Sequence, residues 1–315
     1  MKIKIGTRGS ALALYQANLV RDLIIKNAVT EDAPLKIIKT SGDRILNASL
    51  SSFGGKGLFV KEIEDALESN DIDIAVHSLK DVPQVIPYRF KIGVVIKRDD
   101  PRDCIIFREK QENGEKIDSK NFVSFLRSGS VIGTSSLRRQ ALLSRAKGGL
   151  KFEPLRGNVE TRLKKLRDGQ FDAIILSSSG LIRLGLSQNI DAYLNPLSFI
   201  PQCGQGVIAI EYKKSRHDLD EILFPLNDRD TVVCVFAERE CIKALDCGCA
   251  SPVGAYAHIK GDGRLNLRCF VSNNKGEFLE EELEGKTEDF KEIGKFLALS
   301  LIEKGALGIL SKNYS

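Results

Sequence analysis

The chain is poor in histidine, with three in all, and its seven cysteines are an odd number. A zinc centre built on Cys241, Cys247 and Cys249 would need further ligands, and only His77, His217 and His258 could add to them. The Cys241-x5-Cys247-x-Cys249 spacing matches no familiar structural-zinc arrangement, so no metal is expected. An odd set of thiols also argues for reduced cysteines over a disulfide framework. No apolar run approaches the roughly 18 residues of a membrane span. The N-terminal MKIKIGTRGS has no apolar signal core, and a cytoplasmic protein is the expectation. The net charge of +5 comes without a long basic tail or an aromatic-basic alternation, which argues against nucleic acid. Nucleotide hydrolysis is set aside as well. In the glycine loop Phe53–Phe59, Lys56 is followed by Gly57 where a phosphate-binding loop needs Ser or Thr.

What remains is an ordinary globular composition, 42% hydrophobic and 28% charged over 315 residues, enough for two or three domains. The stretch Asp71–Pro83 organises the reading. Ile72, Ile74 and Val76 predict a buried strand, and His77-Ser78-Leu79-Lys80-Asp81 follows at its carboxyl end. Ligand crevices of open α/β sheets lie beyond such ends, where an acid beside a base can hold a cation and move a proton. Asp81 as a simple turn cap is the alternative.

The same strand, turn and helix pattern recurs. Lys2–Ile5 runs into Gly6-Thr7-Arg8-Gly9-Ser10 and a helix, and Val131–Gly133 into Thr134-Ser135-Ser136 and a helix bearing Arg138 and Arg139. Lys151–Leu155 ends in Arg156-Gly157-Asn158 before a helix with Arg162. Phe171–Leu176 leads to Ser177-Ser178-Ser179-Gly180 and Arg183. Such turns aim backbone N–H groups and helix N-termini at anions, and arginine forks pair bidentately with carboxylates. Six arginines (8, 138, 139, 156, 162 and 183) at equivalent places point to a ligand with several acidic groups, against the alternative of separate surface salt bridges. The predicted fold is α/β: two doubly wound, periplasmic-binding-protein-like domains with parallel sheets and a cleft between them. A small C-terminal α+β domain with an antiparallel sheet follows. The boundaries expected are 1–98 with 206–224, 99–205, and 225–315. Residues 108–120, rich in charge and glycine, read as a surface insertion.

These residues lie in longer blocks that together closely resemble the porphobilinogen deaminase (hydroxymethylbilane synthase) family. They are GTRGSALALYQA from Gly6, GGKGLFVKEIEDAL from Gly54, DIAVHSLKDVP from Asp73, IGTSSLRRQ from Ile132, LRGNVETRL from Leu155, DAIILSSSGLIRLGL from Asp172, GQGVIAIE from Gly204 and GCASPVGAYA from Gly248. The resemblance implies head-to-tail joining of four porphobilinogen molecules, with loss of ammonia at each addition, to give the linear tetrapyrrole hydroxymethylbilane. It implies a dipyrromethane primer held by a thioether to Cys249, and Asp81 as the catalytic carboxylate. Lys80, Asp81, Thr134, Ser136, Arg138, Arg139, Arg156 and Gly157 match cofactor-binding positions. Arg8, Ser10, Lys56, Phe59, Arg162, Arg183 and Gln205 match substrate-binding ones. A monomer is implied, with hand-over of product to uroporphyrinogen-III synthase. The chain departs from the family at Ser52, where some relatives carry a basic residue, and at Cys247, which replaces a common glycine. Two other classes remain open at this point: an anion-clamping solute-binding module, and a thiol-regulated protein built on Cys247-Gly248-Cys249.

Overall fold

A computed structural model describes residues 2–27, 29–41, 60–109, 116–247 and 251–311. Its strands are β1 (Ile5–Thr7), β2 (Leu35–Ile37), β3 (Ile74–Ser78), β4 (Phe90–Val95), β5 (Asp103–Phe107), β6 (Val131–Gly133), β7 (Lys151–Glu153), β8 (Ala173–Ser177), β9 (Ala192–Tyr193), β10 (Ile208–Lys213), β11 (Val253–Ile259), β12 (Leu265–Ser272) and β13 (Phe278–Gly285). Its helices are α1 (Ala11–Lys26), α2 (Lys61–Glu68), α3 (Leu137–Ala146), α4 (Val159–Arg167), α5 (Ser178–Arg183), α6 (His217–Leu223), α7 (Arg229–Ala244), α8 (Phe290–Glu303) and α9 (Ala306–Ser311). The chain divides into two compact units, residues 1–99 with 206–233, and 100–205 with 234–315.

The first unit is a five-stranded sheet in the order β2-β1-β3-β10-β4. Strand alternation sends Ile74 and Val76 of β3, with Ile208, Ile210 and Tyr212 of β10, into one apolar layer. Ala17, Val20 and Ile24 of α1 and Leu219 and Leu223 of α6 pack against it. The opposite face is smaller, with Ile63 and Leu67 of α2 over Ile72, Ala75 and Phe90. Helix α1 starts where Ser10 accepts a hydrogen bond from the Ala13 N–H at 3.3 Å.

The second unit repeats the plan. Its sheet runs β7-β6-β8-β5-β9, and its strands are likewise covered on both faces. The antiparallel meander β11-β12-β13 belongs to this unit too, because Phe270 of β12 is buried in the same layer as Ile105, Leu143 and Ile200. Parallel sheets were the expectation, and in this respect the structure corrects it. β10 runs antiparallel to β3 and β4, and β5 antiparallel to β8 and β9. The reason lies in the connections: parallel neighbours need a crossover helix, which β1, β2, β3 and β6, β7, β8 have. β5 and β10 instead enter their sheets from segments that hold no crossover helix.

Candidate active site

In the first unit β1, β2 and β3, and in the second β6, β7 and β8, lie in the order second, first, third, all parallel. The chain therefore leaves the central strand toward opposite sides, and a crevice opens at the carboxyl ends of β1 and β3, and of β6 and β8. Several of the described residues expected at the site lie at or just beyond these ends.

In the first unit, β1 delivers Arg8 and Ser10, both half-buried. β3 passes into a 3₁₀ turn at Leu79–Asp81. The turn is anchored by apolar residues on both sides, since Leu79 and Val82 are fully buried. The Leu79 N–H donates to the Val207 carbonyl at 2.9 Å, and the Val82 N–H closes the turn on the Leu79 carbonyl at 3.1 Å. Lys80 and Asp81 are displayed between these anchors, Lys80 half-buried and Asp81 exposed. Gln16 of α1 bonds Ser78 through both ends of its amide, at 2.8 and 3.1 Å, fastening α1 to the last residue of β3. Among the described residues no donor pairs with the Asp81 carboxylate, so the turn does not consume it as a cap.

In the second unit, Ser136 caps α3 by accepting from the Arg139 N–H at 3.4 Å, and Thr134 Oγ1 accepts from the Ser136 N–H at 3.2 Å. The first turn of α3 carries Arg138 and Arg139, and both are buried. They converge on one carboxylate, that of Asp103 at the start of β5, which has no exposure at all. Arg138 Nη2 donates to Asp103 Oδ2 at 2.7 Å. Arg139 donates to Oδ1 through Nη2 at 2.7 Å and Nε at 3.1 Å. Gln205 Nε2 donates to the same Oδ1 at 3.1 Å and to the Pro101 carbonyl at 2.7 Å. Burial pushes the Asp103 carboxyl up, but the two guanidinium groups and their hydrogen bonds outweigh it and hold the group below the usual carboxylate range. Two cations on one anion leave a net positive charge. Arg138 Nε is moreover buried without a hydrogen-bond partner among the described residues.

The other arginines expected in the second unit follow β7 and β8 in the chain. Gly157, at φ 109°, holds a conformation that side-chain-bearing residues rarely adopt, between Arg156 and the start of α4. Asn158 then caps α4 by accepting from the Thr161 N–H at 2.8 Å, and Arg162 Nε donates to the Gly157 carbonyl at 2.8 Å. Arg183 is buried at the end of α5, just beyond β8. Glu238 of α7, fully buried, accepts from the Gly204 N–H at 2.8 Å and the Ala257 N–H at 2.9 Å, binding the turn that holds Gln205 to β11. Such a surplus of buried guanidinium donors fits an anionic, carboxylate-bearing cofactor.

Lys56, Phe59 and Cys249 lie outside the described residues, as does Ser52. Cys247 is described and half-buried, its Sγ 3.8 Å from the Ile242 carbonyl. Among the described residues no cluster of His, Cys, Asp and Glu is arranged to hold a metal, and no helix is long and apolar enough to cross a membrane. Asp103 and Glu238 are the residues that sequence reasoning missed. Asp103 did leave a signal, as an acid opening the otherwise apolar strand Asp-Cys-Ile-Ile-Phe.

Comparison with known proteins places relatives beside the chain. The family model described as "Porphobilinogen deaminase, dipyromethane cofactor binding domain" matches residues 3–221, and "Porphobilinogen deaminase, C-terminal domain" matches residues 232–303. Similar curated proteins include the porphobilinogen deaminases of Syntrophobacter fumaroxidans, 42% identical over 99% of this chain and 98% of its own length, and of Thiobacillus denitrificans, 43% identical over 98% and 97%. Among solved structures, the periplasmic VFT2 domain of Bordetella pertussis BvgS matches 71% of this chain and 84% of its own at 15% identity, with a TM-score of 0.40, a similarity too low to bear on function.

Proposed function

The chain belongs to the porphobilinogen deaminase family, and from that premise we propose that it joins four porphobilinogen molecules head to tail, releasing ammonia at each addition, to form hydroxymethylbilane. The observation that carries the reading is the division of charge. In the second unit the guanidinium groups of Arg138 and Arg139 converge on Asp103, while Asp81, at the carboxyl end of β3, is a carboxylate with no partner among the described residues.

The family's cofactor, dipyrromethane, supplies the primer to which each new unit is joined. Cys249 is the residue assigned to hold it. Arg138, Arg139, Arg156, Thr134, Ser136, Gly157 and Lys80 would bind its carboxylates, and Arg8, Ser10, Lys56, Arg162 and Arg183 those of the incoming substrate, with Phe59 packing near the pyrroles and Gln205 joining the substrate-binding set through its hydrogen bond to Asp103. Each porphobilinogen brings an acetate and a propionate, so every addition adds two negative charges that the arginines neutralise. Asp81 holds the pyrrole N–H groups, assists departure of the amine and offsets the positive charge that develops on the ring as the new bond forms. The reading extends to a monomer in the cytoplasm with three domains bounded at 1–98 with 206–224, 99–205 and 225–315, passing product to uroporphyrinogen-III synthase.

Intact mass tests the proposal. The purified chain is expected to carry the mass of two porphobilinogen units less two ammonia, lost in Cys249→Ser and kept in Cys247→Ser. Asp81→Asn is expected to keep that mass and lose most turnover. A chain that stays bare after porphobilinogen or hydroxymethylbilane is supplied would refute the cofactor assignment, and near-normal turnover in Asp81→Asn would refute the role of the acid.

A further inference from the structure

The smaller face of the first sheet carries three ionisable groups that the reaction above does not use. On β3, Ala75 and His77 point to the side opposite Ile74 and Val76. On β10, Ala209 and Glu211 do the same opposite Ile208 and Ile210. The antiparallel register sets Ala209 against His77 and Glu211 against Ala75, so the two ionisable side chains meet diagonally across the joint. His77 Nε2 lies 3.0 Å from Glu211 Oε2, with the histidine 7% exposed and the glutamate fully buried. Neither Glu211 oxygen has a well-aligned hydrogen bond among the described residues, and the His77 ring is its close ionisable neighbour. Glu64 of α2 faces the same site. Burial and the charge of Glu211 push its carboxyl up to about 7, Asp65 pushes the same way, and His77 and Arg89 oppose them.

A buried histidine–glutamate pair in this place is poorly explained as a source of stability. Burying two ionisable groups carries a desolvation cost, and apolar side chains of similar volume commonly do as well or better. What the pair does offer is register. Side chains alternate along a strand, so a one-residue slip of β3 on β10 would carry Glu211 or His77 to the other face and strand a charge in the apolar layer. The register matters most here because the next rungs support the turn. Ser78 pairs with Ile208, the Leu79 N–H bonds the Val207 carbonyl, and Lys80 and Asp81 follow at once.

We infer that the buried His77–Glu211 pair is a positioning device that fixes the register of β3 on β10 and thereby the place of the Leu79–Asp81 turn. It acts through the turn and touches no substrate. The inference rests on the reading of Asp81 as the reaction's acid, and its test separates the two. The variants are Glu211→Leu combined with His77→Leu, which removes the pair without leaving one ionisable group alone, and Glu211→Gln, which keeps the shape and a polar group beside His77. Holoenzymes verified by intact mass are compared for kcat, KM for porphobilinogen, and hydrogen exchange at the Leu79 amide. The double variant is expected to load cofactor, to lose protection at Leu79, and to show kcat lowered by about tenfold or more with KM within about threefold, since small misplacements of a reacting group fall on kcat. Glu211→Gln is expected to recover a large part of that kcat. Unchanged protection at Leu79 overturns the inference whatever Asp81 does. So does lost protection with unchanged kcat, or a kcat loss matching only the fraction of unloaded protein. Wild-type turnover in Asp81→Asn, measured alongside, would instead remove the reading of Asp81 and leave the Leu79 exchange result standing on its own.

Discussion

Asp103 is the residue whose replacement should be felt most widely in the second unit. Asp103→Asn keeps the volume and removes the charge, leaving Arg138 and Arg139 as two buried guanidinium groups facing an amide that can accept only at its single oxygen. Breaking a buried pair by removing one partner costs about 3–5 kcal/mol because the remaining charge is uncompensated. Here both arginines keep part of their support, Arg138 on the Ile200 carbonyl at 2.7 Å and Arg139 on the Ile175 carbonyl at 2.9 Å, so the lower half of that range applies. At about 2–4 °C per kcal/mol for a unit of this size, the expected fall in melting temperature is about 10 °C. The comparison is made in a Cys249→Ser background, so that differences in cofactor loading do not enter. It also has a pH arm. The Asp103 carboxyl is held below its unfolded value, so the stability it contributes is present above the unfolded value of about 4 and is lost as pH falls toward the folded one. Parent and variant should therefore differ fully at pH 7 and converge in strong acid. A variant melting within about 2 °C of its parent at pH 7 would refute the claim that Asp103 neutralises the arginine pair.

Two further outcomes follow from local geometry. Glu64 has a folded pKa of about 7, raised by burial and by Glu211, so proton loss is harder in the folded chain than in the unfolded one. The penalty grows from about pH 4.5 and is complete above about pH 7, so Glu64→Gln should raise the melting temperature at pH 8 and leave it nearly unchanged at pH 4; equal shifts at both would contradict the assignment. Gly157→Ala places a methyl group 2.7 Å from Thr161 Cγ2 at a φ of 109°. It should destabilise the second unit by about 1–3 kcal/mol in urea unfolding, and a neutral effect would argue against the strained turn.

Much of this was readable in the chain because the signals are local. Ser10, Ser136 and Asn158 each open a helix that the apolar period already marks, and each caps it as that period requires. The glycine and arginine turns fall at the carboxyl ends of strands, which is what led to Asp81, Arg138 and Arg139. The unreadable part is long-range pairing. Asp99, Asp100 and Asp103 look alike in sequence, yet Asp100 pairs with its neighbour Arg102 while Asp103 faces inward to two arginines thirty-five and thirty-six residues away. Arg138 and Arg139 suggested a ligand, and nothing local said that an internal acid would share them. His77 and Glu211 are likewise unremarkable one at a time. Only the antiparallel entry of β10, which the expected parallel sheets did not include, brings them together.

That entry also sets a timetable for synthesis. β10 fills the gap between β3 and β4, yet it leaves the ribosome roughly 110 residues after β4, on the order of 5–20 seconds later at ordinary elongation rates. Throughout that interval the first ninety-nine residues have no strand to join their two halves, and the facing edges of β3 and β4 stay open to pairing with another chain. The five-stranded sheet of the second unit has no such wait, because its strands β5 to β9 follow one another without interruption in the chain. The amino-terminal half is thus made first and finished late, and its protection before Ile208 emerges falls to whatever shields the nascent chain.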